Sequence, residues 1–234
     1  MTDTPTSAPA TTGAPLLLSP EALLPALDAA LRDTDPRELR AETVRFLAAR
    51  REEALPWIEA DFAGHPRAAR ATVLAYATMT DSIVRAALYV ASARMHPLSR
   101  PSAADEVTVL AVGGYGRAEM APASDVDLLF LTPGKLTPRA ESVIESMLYM
   151  LWDLKLKVGH ATRSIDDCLR LGREDITIRT ALLENRFVGG DHALAERLGE
   201  TLRNELFRST GPEFIEAKLA ERAERHKRQG GQRY

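Results

Sequence analysis

Residues 107–131 read VTVLAVGGYGRAEMAPASDVDLLFL. Val107 to Val112 is a short, apolar, β-branched run and predicts a strand. Gly113-Gly114-Tyr115-Gly116 ends it, and clustered glycines suit a turn where backbone approaches a ligand closely. Pro122 and Ser124 then precede a second apolar run, Val126 to Leu131, with Asp125 and Asp127 at its start. Residues i and i+2 of a strand share a face, so the two carboxylates project together while Val126 and Leu128 point the other way. Side-by-side carboxylates on an apolar strand are costly unless a cation lies between them. Mg²⁺ suits the position: it takes oxygen ligands, uses one or two carboxylates and completes its shell with substrate phosphates. Backbone N–H groups of Gly113 and Gly114 are then available to the anionic end of that substrate. An Asp-x-Asp pair is weak evidence among 33 acidic residues, and a glycine cluster alone also fits an ordinary hairpin. The two together, each attached to an apolar strand, predict a metal-nucleotide site.

Two other glycine patterns are excluded. Gly134-Lys135 lacks the upstream glycine and the following Ser/Thr of a phosphate-binding P-loop. Gly114-x-Gly116 has Glu119 where a dinucleotide fingerprint needs Gly or Ala.

Outward from this stretch, the bulk composition bounds the protein. Its 234 residues make one large domain or one domain with a helical extension, and 45% apolar content supports a sizeable core. A net charge of −3 argues against a general nucleic-acid binder. Cys168 is the single cysteine, so neither a disulfide framework nor a cysteine zinc site forms within one chain. No apolar run has the length of a membrane span, and the N-terminus has no secretory pattern, so a cytoplasmic protein without membrane contact is expected.

Residues 1–15 are rich in Thr, Ser, Pro and Ala and predict a disordered tail. Residues 16–97 predict a helical region, with Ser19-Pro20 starting one helix, Asp35-Pro36 another that Pro56 interrupts or kinks, and a long amphipathic helix over 67–94. Residues 98–190 form the expected core. After a helix carrying Val143, Met147 and Leu151, the strict alternation Asp153-Leu154-Lys155-Leu156-Lys157-Val158 predicts a third strand. That strand would bring Asp153 beside the aspartate pair, with Asp166 and Asp167 as the fallback. The remainder to residue 229 predicts three or four helices. Residues 191–234 are expected to be a C-terminal helical extension, cut short of the natural end. The five histidines are scattered without metal-ligand spacing.

Gly113-Gly114, the interval that follows and Ser124-Asp125-Val126-Asp127-Leu128 resemble the polymerase-β nucleotidyltransferase superfamily. More narrowly, the stretch resembles the bifunctional uridylyltransferase/uridylyl-removing enzymes that modify the PII nitrogen-signalling protein. The likeness continues through 151–164, through Leu182-Leu183-Glu184-Asn185-Arg186 to Gly190-Asp191, and through Arg225-His226-Lys227-Arg228. It implies an α+β fold, with a small mixed sheet of polymerase-β type plus N- and C-terminal helical segments. It also implies Mg²⁺-dependent transfer of UMP from UTP to a tyrosine hydroxyl of PII. Two Mg²⁺ ions would sit on Asp125, Asp127 and Asp153, since the superfamily usually has a third carboxylate on its next strand. Gly113, Gly114, Arg117 and Ser124 would contact the phosphates, unless Arg117 pairs with Glu119 or Asp125. Arg186 is expected near the nucleotide or in a structural contact. Uridylyl removal and glutamine sensing would belong to downstream domains absent from this chain. The alternatives are a sister enzyme of the glutamine synthetase adenylyltransferase type and a degenerate nucleotide-binding module.

Overall fold

The computed structural model describes residues 15–100, 102–208 and 211–228. The expected tail at 1–14 and the chain end at 229–234 lie outside the described residues. Three helices come first: α1 (Pro20–Ala30), α2 (Leu39–Gly64) and α3 (Ala69–Tyr89), the last continuing through a wider turn at Val90–Met95. Helix α2 runs on past Pro56, where the sequence predicted a break or kink. Strand β1 (Thr108–Ala111), the single helical turn α4 (Gly113–Gly116) and strand β2 (Val126–Leu131) follow. Helix α5 (Pro138–Asp153) then leads to β3 (Val158–Arg163), α6 (Ile165–Glu174), α7 (Ile176–Leu183), β4 (Arg186–Gly189), α8 (His192–Thr201) and α9 (Gly211–Arg228).

The four strands form one mixed sheet in the order β3-β2-β1-β4. β1 is antiparallel to both β2 and β4, and β2 is parallel to β3. Alternation assigns the two faces. Val109, Ala111, Val126, Leu128 and Phe130 enter a core with α1, α2, α3 and α5. Leu110, Leu129 and Leu131 enter a second core with α6, α7 and α8. The fold is therefore α+β with a small mixed sheet, as the residue pattern and the resemblance implied.

Two elements differ from expectation. The predicted third strand at 153–158 is the end of α5 and the turn after it; the strand starts at Val158. Leu156 N–H donates to the Leu151 carbonyl and Lys155 N–H to that of Trp152, with Lys155 at φ 59°. That is a Schellman closure, whose left-handed residue is usually glycine. A lysine there hid the helix end, and the alternating residues around it imitated a strand. Strand β4 was missed inside the stretch read as helical; Phe187-Val188, bounded by Asn185 and Gly189-Gly190, was the available signal.

Candidate active site

The site lies where β1 and β2 meet α4. The Val112 N–H donates to the Asp127 carbonyl at 3.0 Å, which fixes the glycine turn against the start of β2. Gly113 has φ +60°, a left-handed conformation that side chains resist, and it opens a helical turn rather than a hairpin. Gly116 N–H and Arg117 N–H donate to the carbonyls of Val112 and Gly113. The N–H groups of the first residues of such a turn have no intrahelical acceptor and point outward from its start.

Asp127 stands between two glycines. A Cβ on Gly113 would lie 3.5 Å from its Oδ2, and a Cβ on Gly159, its register partner on β3, would collide with its Oδ1. The carboxylate keeps this pose because Gly159 has no side chain, while a Cβ on Gly113 would only touch it. Burial pushes its pKa up, and the charge of Asp125 adds to the shift. Asp125 sits just before the strand and is exposed, so one carboxylate is half-buried and the other faces solvent. Oxygen donors of this kind, one desolvated and both negative, fit a hard divalent cation.

A cleft of about 260 Å³ opens beside this pair. Its floor is the odd-numbered face of β2 and β3, from Asp127 and Gly159 through Leu129 and Ala161 to Arg163. Its wall is α7, through Thr177, Ile178 and Ala181. Gly113 lines the end nearest the aspartates.

The other predicted residues fall elsewhere. Asp153, the last residue of α5, accepts a 2.9 Å bond from Arg40 Nε, with both side chains exposed. The structure does not bring it to the aspartate pair: among the described residues, no three His, Cys, Asp or Glu side chains lie together as a metal site. The fallback pair is also engaged differently, since Asp167 forms a capping box with Ser164 at the start of α6 and Asp166 is exposed on its first turn. Arg117 pairs with Glu119 and Glu184, each at 2.8 Å, and not with Asp125. The Ser124 hydroxyl accepts from Ala121 N–H at 2.9 Å and closes the loop before the strand.

Asp81 lies on α3, within the long amphipathic helix expected over 67–94, and is not among the predicted site residues. It is buried, and both its oxygens accept from Arg186, at 2.7 and 3.0 Å. The buried Tyr115 hydroxyl donates to it at 2.7 Å, and the Arg186 guanidinium lies 5.4 Å from the Tyr115 ring centre. Burial, with Asp81 beside it, drives the Tyr115 phenol well above its usual pKa. Arg186 is thus a structural contact behind the glycine turn. Asp81 was visible as the lone carboxylate at 76–88, on a stretch carrying Tyr76, Met79, Ile83, Val84 and Leu88, a pattern that signals a buried partner. Gly116 completes the packing: any Cβ there would run into the Glu184 carbonyl at the end of α7.

No helix among the described residues is long and apolar enough to cross a membrane. No family model matches the chain. Several similar curated proteins carry the description bifunctional uridylyltransferase/uridylyl-removing enzyme. One from Cereibacter sphaeroides is 62% identical over 200 residues, 86% of this chain and 22% of the relative. One from Ruegeria pomeroyi is 54% identical over 203 residues, 87% of this chain and 22% of the relative. One from Rhodospirillum rubrum is 45% identical over 207 residues, 88% of this chain and 22% of the relative. The chain thus spans about a fifth of the length of these relatives.

Proposed function

The chain is homologous to a segment of the bifunctional uridylyltransferase/uridylyl-removing enzymes, and from that premise we propose that it carries the transfer half of the paired activity. In this reading it moves UMP from UTP to a tyrosine hydroxyl of the PII signalling protein and releases pyrophosphate, in the cytoplasm. The observation that carries the proposal is the Asp127 carboxylate, seated between Gly113 and Gly159 at the mouth of a cleft, with Asp125 beside it.

Asp125 and Asp127 would hold Mg²⁺. When bound, the cation neutralises phosphate charge and makes the acceptor hydroxyl a better nucleophile. The chain's own groups do the positioning. The N–H groups opening α4 face the phosphate oxygens, and the apolar floor of Leu129 and Ala161 keeps water from one side of the nucleotide. The hydroxyl oxygen bonds to the α-phosphorus as the bond to the bridging oxygen breaks; the electron pair leaves with pyrophosphate and the hydroxyl proton passes to solvent water. Holding the two in line is the larger share of the work in phosphoryl chemistry. Arg117 and Ser124 contribute by holding the loop between α4 and β2 in shape. Asp153 belongs in this proposal to the Arg40 pair rather than to the cation.

The test is direct. The chain is mixed with Mg²⁺, purified PII and UTP or ATP labelled at the α-phosphate. Label on PII from UTP is the expected result, and Asp125→Asn with Asp127→Asn should abolish it in a folded protein. Label from ATP alone would move the chain to an adenylyl-transferring relative, and transfer that survived the double substitution would refute the cation site.

A further inference from the structure

The cleft beside Asp127 has one cation on its floor, and it is Arg163. This residue ends β3 on the same face as Gly159, four residues further on, roughly 13 Å away at the strand rise of about 3.3 Å. Its side chain is half-buried and lines the cleft. Its charge is felt by Asp175, which caps α7, yet among the described residues its guanidinium makes no hydrogen bond or ion pair. Other arginines around the site are engaged: Arg117 by Glu119 and Glu184, Arg186 by Asp81, and Arg179 by the carbonyls of Gly172 and Arg173. Arg163 thus places a fixed positive charge and up to five donors at the far end of a cleft floored by Leu129 and Ala161.

The cleft has a direction. Phosphates belong at the Gly113 and Asp127 end, where the outward N–H groups and the carboxylates are. A nucleoside laid along the floor then passes Leu129 and Ala161 and brings its base to Arg163. Guanidinium donates and never accepts, so it fits a base edge with a carbonyl at position 4 and faces donor against donor with an exocyclic amine there.

We propose that Arg163 is the residue that selects the base: its guanidinium donates to the 4-carbonyl of uracil and thereby excludes cytosine. The inference rests on the proposed nucleotidyl transfer from UTP and names the contact that makes UTP the donor. It assigns specificity to a residue outside the aspartate-glycine motif, on the strand next to it.

Equilibrium binding of UTP and CTP to the full chain, with Mg²⁺ present, tests this. The native chain should prefer UTP. Arg163→Ala and Arg163→Gln should weaken UTP binding tenfold to a hundredfold, the range one charged hydrogen bond supports, and leave CTP binding as tight as in the native chain or tighter, because no guanidinium then faces the cytosine amine. Thermal unfolding at the native temperature would certify both variants as folded, and Arg163→Gln keeps most of the stem should Arg163→Ala be unstable. Equal losses for UTP and CTP would overturn the inference and move Arg163 to the phosphates. An unchanged UTP-to-CTP ratio in a chain that still transfers label to PII would overturn it while leaving the transfer proposal standing. A native chain that binds neither nucleotide would overturn both.

Discussion

Gly159→Ala separates the positioning of Asp127 from its presence. The added Cβ would stand closer to Asp127 Oδ1 than the 3.0 Å limit that real Cβ atoms keep. Strand β3 is held to β2 by a continuous parallel register from Val126 to Leu131, so the backbone does not give way. The carboxylate gives way instead, by rotating about its short side chain. The outcome is an Asp127 displaced by about an ångström, and a misplacement of that size costs on the order of 100-fold in rate. Stability should move little. Alanine is better than glycine within a strand by roughly 0.5–1 kcal/mol, and this offsets the cost of the new rotamer. The assay is UMP transfer to PII at saturating UTP, read with a Mg²⁺ titration and a thermal melt. The expected signature is a large loss in kcat, a higher Mg²⁺ requirement and a melting temperature within a few degrees of the native chain. Native kcat and Mg²⁺ dependence in Gly159→Ala would refute the claim that Asp127 works only in the pose Gly159 allows.

Three further outcomes follow from the same geometry. Asp81→Asn leaves Arg186 partly buried without its carboxylate, which should cost about 3 kcal/mol and lower the melting temperature by about 6–12 °C, with activity falling through loss of fold. Asp153→Asn removes only an exposed pair with Arg40, worth about 0.2–1 kcal/mol, and transfer should stay within twofold of native; a loss comparable to that of Asp127→Asn would restore Asp153 to the cation site. Asp127 is an acid whose pKa is raised in the fold, by burial first and Asp125 second, so its charged form opposes folding. That opposition is absent below the ordinary carboxylate pKa of about 3.9 and full above the raised value. Without metal, Asp127→Asn should therefore melt higher than the native chain at neutral pH, the gap should close on acidification, and added Mg²⁺ should stabilise the native chain alone.

The strands of the site were legible because their signals are local. Val107 to Val112 and Val126 to Leu131 are dense in β-branched and large apolar residues, and β2 has the predicted bounds. The closeness of Asp127 to the glycine turn was implied by their attachment to adjacent strands. What the residues did not disclose depends on approach between distant segments. Gly159 carries no mark of a role until β3 is registered against Asp127. Asp81 meets Tyr115 and Arg186 only after a helix, a turn and an unrecognised strand converge. Asp153 was misplaced because a left-handed lysine closes α5 where pattern alone continued as a strand.

The Asp81 network also bears on how this protein can be cut. Sequence composition separates a helical region ending near residue 97 from a core beginning at 98. The network ignores that line, since Asp81 belongs to the first part and Tyr115 and Arg186 to the second. A shortened protein starting at the core would strand a phenol and a guanidinium under the glycine turn. Helix α3 is therefore the foundation of the glycine turn, and the smallest unit that keeps the turn supported begins upstream of Asp81, not at the first strand.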